Sequence, residues 1–347
     1  MLELTDNTLE FSFPEVHKYA KVGLGFQRTL RIPDDGKEYS LPPGLGSFPV
    51  KQIDEIPENN IPRVWKQHGG VMIPMYQSEA LWINFYPNEP EDRASAYPFA
   101  VRIATGKVSA LTGKAFTKIL KPDDYLIIPD QPWLDGFVVG DDKGIVRQFV
   151  ASPIGSDVSV EYQITGEDSI GGLQIEVFPM KGDIYDKKFP VIDDDSRYRV
   201  SAYVMCASAA SAAFSENGDP GMSLAAGGKM RQQVFEDSFG FDVWDLEHST
   251  KVFVHLTNSM LWRVITGQDP PTVPLTAKEY TQRGLPWFDY YAEKPYKKVT
   301  DEMRDIKSMK EMPGGAVMLP ENASVDEAEQ VIDLSPKSPN EVREGSF

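Results

Sequence analysis

Residues 124–151 read DYLIIPDQPWLDGFVVGDDKGIVRQFVA, and no other stretch limits the fold as tightly. An apolar run at 126–128 opens it, and segments 136–139 and 145–150 face each other across GDDKG, the grammar of an antiparallel hairpin. The sequence on either side repeats that grammar. Segments 71–76, 80–86, 99–104, 107–111, 158–164 and 173–178 all read as short strands between Gly, Pro and Asp turns. In 80–86, Leu81, Ile83 and Phe85 share one face while Trp82, Asn84 and Tyr86 share the other. Parallel βαβ units need crossover helices, and none fits between these runs. The expectation is a mainly β fold, an antiparallel β-sandwich or jelly-roll-like barrel that buries one face of each strand.

Around this centre the chain divides by composition. Residues 1–20 alternate weakly and read as an N-terminal arm or edge strand. From Val22 a strand is interrupted by Gly23 and Gly25, which predict a bulge or a close backbone approach. PDDG at 33–36 is a turn, and 51–66 reads as connecting loop. The antiparallel unit is expected over 21–180. A second β-rich lobe with short helices follows over 181–312, then a mobile acidic tail at 313–347. Within the second lobe, 184–196 reads as an exposed connection carrying the run Asp193–Asp194–Asp195. Segments 198–206, 229–235 and 251–256 read as strands, and 207–213 as either a helix or a tightly packed strand. Asn258 caps a helix closed by Gly267, and Thr276 with Glu279 forms a capping box. A helix is expected from Thr300 to about Met309, and SVDE at 324–327 opens another. The latter places Val331, Ile332 and Leu334 as anchors of a docking peptide.

The formal charge of −17 repels nucleic acid and anionic membrane surfaces and suits a hydrated surface or a cationic partner. Cys206 is the only cysteine, which excludes an intrachain disulfide, and its apolar surroundings fit an inert buried thiol. The N-terminal residues lack a basic and apolar secretory pattern, so the expected location is the cytoplasm.

Gly227, Gly228, Lys229 and Arg231 lie in AAGGKMR, which lacks the spacing of a phosphate loop. They suit either a plain Gly-Gly turn or a backbone nest for a small anion. His17, His68, His248 and His255 show no metal-ligand spacing, and no cofactor is expected. His68-Gly69-Gly70 has the pattern of an oxyanion-hole segment without a nucleophile elbow. The richest group is in the central stretch. Asp130 and Asp135 flank Gln131 and Trp133, with Arg147 and Gln148 on the returning strand. Two carboxylates beside an aromatic face suit a glycosidase or a sugar site, provided they stand about 5–10 Å apart in an open cleft. The same residues suit a structural loop in which the carboxylates cap turns and Trp133 packs inward.

RTLRIPDDG (28–36), LPPGLGSFPV (41–50), PMYQSEALW (74–82), PDQPWLDG (129–136), RQFVA (147–151), AAGGKMRQQVFED (225–237) and TAKEYTQRGLPWFDYY (276–291) resemble a family of uncharacterised, mainly bacterial proteins. The resemblance spans roughly 22–291 and brings no activity, cofactor or catalytic residue. It implies only a soluble intracellular protein. With no intact catalytic motif, the expectation is a non-enzymatic binding or assembly protein that self-associates or takes a protein partner. The alternative is a carbohydrate-active enzyme or sugar-binding protein working through 129–136.

Overall fold

Apolar and polar residues alternate along most of the chain, and strands form wherever they do. The computed structural model describes residues 1–139, 144–191, 221–319, 322–325 and 330–335. Its strands are β1 (Leu2–Thr5), β2 (Thr8–Ser12), β3 (Lys21–Thr29), β4 (Glu38–Tyr39), β5 (Gly44–Ser47), β6 (Lys51–Gln52), β7 (Val71–Met75), β8 (Ala80–Pro87), β9 (Phe99–Thr105) and β10 (Val108–Ser109). They continue with β11 (Leu126–Ile128), β12 (Trp133–Leu134), β13 (Gly136–Val138), β14 (Ile145–Pro153), β15 (Leu173–Pro179), β16 (Gly221–Arg231), β17 (Thr250–Asn258), β18 (Trp287–Asp289) and β19 (Val331–Asp333). Short helices fill the connections: α1 (Arg63–His68), α2 (Val160–Thr165), α3 (Gly182–Lys188), α4 (Ser259–Thr266), α5 (Ala277–Gln282) and α6 (Asp301–Arg304).

A mainly antiparallel sheet runs β1–β2–β3–β8–β14–β16–β17–β15–β9–β11. Parallel β4 and β7 are added on β16 and β17. The mainly β, antiparallel class expected from the strand grammar is the class found. Inner-face residues Leu9, Phe11, Leu24, Phe26, Ile83 and Phe85 bury in one core with Phe99, Val101, Ile103, Ile175 and Val177. Full burial of each such side chain contributes about 1.5–3 kcal/mol.

The change of composition after Lys181 does not divide this core. β16 lies beyond it, yet pairs along β14 from Ile145↔Arg231 to Pro153↔Met222. β17 pairs with β15, and Leu224, Met230, Val252 and Val254 enter the same cluster. Composition cannot show this, because distant segments that share a central sheet carry the same apolar content. The N-terminal arm is likewise part of the sheet. β1 and β2 form a hairpin turning on Asp6 and Asn7, both at positive φ, and β2 pairs with β3.

Several local expectations are corrected. Segment 158–164 carries helix α2, because the Ser159 hydroxyl accepts from the Tyr162 N–H and Gly166 closes the turn in the left-handed region. Residues 51–66 hold β6 and the start of α1, and 184–196 begins inside α3. The strand expected at 229–235 is instead the end of the longer β16. Thr300 donates its hydroxyl to the Thr112 carbonyl at 2.7 Å and leaves its helix without a side-chain cap; α6 stops at Arg304. Val331, Ile332 and Asp333 form β19, parallel to β18, where a helix was expected. The α4 and α5 caps at Asn258, Gly267 and Thr276 are as expected. The elements expected at 193–195, 198–206 and 207–213, with Cys206, lie outside the described residues. Among the described residues no helix is long and apolar enough to cross a membrane.

Candidate functional site

The central stretch folds as its grammar requires, with Gly136↔Gln148 and Val138↔Val146 pairing β13 to β14. Its polar side chains, however, are occupied. Asp130 accepts from Ser238 Oγ at 3.0 Å and pairs with Lys294 at 2.9 Å. Asp135 is 2% exposed and accepts from Gln232 Nε2 at 2.6 Å, while its backbone N–H donates to Gln232 Oε1 at 3.0 Å. Burial pushes its carboxyl up to about 7, against the opposing pull of the Trp133 indole and Gln232. One carboxylate is ion-paired and the other sealed inside, so the two do not form an open acid–base pair.

The neighbouring glutamines are structural. Gln131 Nε2 donates to the Trp133 carbonyl at 2.9 Å, and its Oε1 accepts from the Phe235 N–H at 3.0 Å. Gln148, fully buried, donates to the Leu30 carbonyl and accepts from the Ile32 N–H. Arg147 donates to the Gly227 carbonyl at 3.2 Å, with Asp34 at 3.7 Å and Glu311 at 3.6 Å.

Gly227 and Gly228 form neither a turn nor a nest. The β14–β16 register jumps from Arg147↔Lys229 to Phe149↔Ala226, so the two glycines oppose the single residue Gln148 in a β-bulge. A Cβ at Gly228 would stand 2.3 Å from the Pro33 carbonyl oxygen, and one at Gly227 would stand 2.5 Å from Val150 Cγ2. Glycine is required by that packing. Arg231 is paired with Asp289 at 3.0 Å, and Lys229 is half-buried in the strand. No anion cradle is assembled from these four residues.

The histidines meet only in pairs. His255 Nε2 lies 3.1 Å from the Gly69 carbonyl, its ring stacks on Trp65 at 4.7 Å, and burial pushes it down to about 4. His68 stacks on Phe253 at 4.4 Å, while Gly69 closes α1 at positive φ. His17 and His248 line one groove; His17 lies 3.5 Å from Asp186 with burial pushing its pKa down, and His248 lies 2.9 Å from Asp245, whose hydrogen bond pushes its pKa up. Among the described residues no three His, Cys, Asp or Glu side chains gather as a metal would require.

A second open surface is the outer face of the sheet over β1, β2, β3, β8 and β12. Register sets its side chains in cross-strand rows. One row reads Thr5, Thr8, Gly25, Asn84, Trp133, and the next reads Glu3, Glu10, Gly23, Tyr86. A third holds Ser47, Gln27 and Trp82. The middle strand β3 therefore offers only glycine in two successive rows; the Tyr86 ring covers Gly25, and the face dips over Gly23 into a trough. A concavity of about 630 Å³ lies over it, lined by Glu3, Thr8, Glu10, Lys21, Tyr86 and Asn88 among others. That volume suits a small ligand, and the lining mixes polar side chains with the apolar surface of Met1, Phe11, Val22 and Tyr86.

Tyr86 is the fixed wall of this trough. A Cβ at Gly25 would stand 2.9 Å from its Cε2 and 3.1 Å from its hydroxyl oxygen, so the ring lies directly on the glycine backbone. Gln27 Nε2 donates to that hydroxyl at 3.3 Å and to Ser47 Oγ at 2.9 Å. The ring is held at both ends yet remains 41% exposed. Beyond it, Trp82 meets Trp133 edge to face at 5.7 Å, and Trp133 meets Tyr290 at 5.0 Å. Trp133 thus joins an aromatic row next to the open face while its indole still reaches Asp135.

Both halves of this site have a sequence signal. The alternation of 80–86 puts Trp82, Asn84 and Tyr86 on one face, and Gly23 with Gly25 announces a close approach. Here the approach is an aromatic ring rather than a bulge, since β3 pairs with β8 without a register shift. Joining the two signals needs the β3–β8 register, which no local pattern supplies. No known protein family, curated protein or solved structure matches the chain.

Proposed function

We propose that the chain is a non-enzymatic binding protein that holds its ligand on the outer face of β1, β2, β3, β8 and β12. The supporting observation is the glycine-floored trough with a fixed, exposed Tyr86 wall, set against central-stretch carboxylates that are buried or ion-paired. A prebuilt concavity lowers the ordering cost of binding, because its floor is backbone and its aromatic wall is already immobilised. In this reading the protein works in the cytoplasm, free of nucleic acid and membrane. Exposed Val331 and Ile332 on β19, with Leu334 just after it, support the tail as a second, peptide-like docking element.

A photoreactive phenylalanine analogue placed at position 86 of the full chain tests the main claim. Irradiation in cell extract should give an adduct at 86 that is absent when the analogue replaces Tyr291, which is 59% exposed and lies off the trough. Equal labelling at the two positions, or none at 86, sinks the proposal. An adduct with a second copy of the chain would place assembly on this face and also count in its favour.

A further inference from the structure

We infer that the trough takes a carbohydrate, with one sugar ring lying on Tyr86. The inference rests on the trough being the binding surface and adds the ligand's chemical class. Three observations select that class. First, the wall is a flat aromatic ring lying on Gly23 and Gly25, with nothing but backbone beneath it. An aromatic face of this kind matches the apolar C–H face of a pyranose, and the tyrosine hydroxyl leaves a polar handle at its end.

Second, the groups around the ring are paired-oxygen and amide types. The carboxylates of Glu3 and Glu10, the hydroxyls of Thr5 and Thr8, and the amide of Asn88 line the trough with it. Carboxylate and amide groups each offer two hydrogen-bonding positions, the spacing presented by neighbouring hydroxyls on a sugar. Lys21 adds one donor cation at the rim. Phosphate-bearing ligands are disfavoured by Glu3, Asp6 and Glu10 in the same lining, since like charges repel them.

Third, the floor cannot accept a peptide strand. β2 is paired with both β1 and β3, and β3 is paired with β2 and β8, so the strands under the trough offer no free backbone edge, and among the described residues only the outer edge of β1 stays open, at the rim. Peptide capture by strand addition needs a free edge.

Tyr86 therefore acts as the stacking platform, and Gly23 and Gly25 are positioning residues that act through it. A side chain at position 25 would lift the ring off the strand and change the platform without removing any polar group.

The test is isothermal titration of the full chain with neutral di- to tetrasaccharides built from glucose, galactose, mannose and N-acetylglucosamine. At least one should bind with a micromolar to millimolar constant. Tyr86→Ala should weaken that binding about tenfold or more, while Tyr86→Phe, which keeps the ring, should stay within about threefold. Gly25→Ala should weaken binding as Tyr86→Ala does, with thermal melting used to confirm a folded variant. If no oligosaccharide binds at millimolar concentration, or Tyr86→Ala binds as the parent does, the carbohydrate inference falls. A position-86 photoadduct with a polypeptide alongside that result would leave the broader binding reading standing; loss of both would end the two together.

Discussion

Replacing Arg102 by leucine lowers the free energy of unfolding by about 3–5 kcal/mol. Arg102 sits on the face of β9 opposite Val101 and Ile103 and has no exposed surface. Its guanidinium reaches Asp124 Oδ2 at 2.9 Å, Glu176 Oε2 at 3.0 Å and the Thr117 carbonyl at 3.0 Å, above the Phe116 ring at 4.2 Å. Glu176 is its direct cross-strand partner on β15, and Lys251 follows on β17 in the same row. Removing the cation leaves two carboxylates, 7% and 6% exposed, with Lys251 3.8 Å from Glu176 and Lys297 acting on Asp124 as the weaker cations nearby. An uncompensated buried charge costs far more than the pair contributes. For the same reason Arg102→Leu combined with Asp124→Asn and Glu176→Gln should recover part of the loss. Urea unfolding at pH 7 measures both. A loss below about 1 kcal/mol for the single variant would mean that water reaches the carboxylates and the network is not sealed.

Asp135→Asn stabilises the protein at pH 8 by about 2–4 kcal/mol and leaves it within about 1 kcal/mol of the parent at pH 4. The sign follows from the direction of the shift. The folded state holds the Asp135 proton up to about pH 7, whereas an unfolded chain releases it near 4. The folded state thus binds more protons across that window. The contribution is complete below the unfolded value and is lost as pH rises through the folded one. Asparagine is neutral throughout and keeps an oxygen for the 2.6 Å bond from Gln232.

His255 runs the other way. Its folded value is pushed down to about 4 from 6.5, so its contribution is present above 6.5 and lost as pH falls through 4. In the parent these two slopes oppose each other between about pH 4 and 6.5. In Asp135→Asn the histidine acts without that opposition, and stability falls more steeply toward acid. Denaturation curves from pH 4 to 8 read the difference between the two chains. Equal stability at pH 8 would show that Asp135 ionises as readily in the fold as in the unfolded chain.

Local chemistry was legible in the sequence, and long-range chemistry was not. The β13–β14 hairpin, the face alternation of β8, the Asn258 cap and the Thr276 capping box each depend on residues a few positions apart. Helix α2 was missed because six residues alternate as well for a strand as for a short helix. Only the Ser159 cap and the Gly166 stop decide between them. Asp135 looked like an acid–base candidate because the residue that seals it, Gln232, lies 97 positions away. Gly227 and Gly228 looked like a turn because the bulge they form exists only opposite Gln148 on another strand. The trough was half visible in Gly23, Gly25, Trp82, Asn84 and Tyr86. Its second half is the register that lays the tyrosine on the glycines.

The most direct measurement is hydroxyl-radical footprinting of the full chain, with and without a saturating oligosaccharide, read residue by residue. Tyr86 and Tyr291 are both exposed tyrosines, at 41% and 59%, so each serves as the other's reference. If the trough is the binding surface, oxidation of Tyr86 drops on ligand addition while that of Tyr291 holds. Unchanged oxidation of Tyr86 under a ligand that binds, with protection appearing elsewhere, would contradict the account.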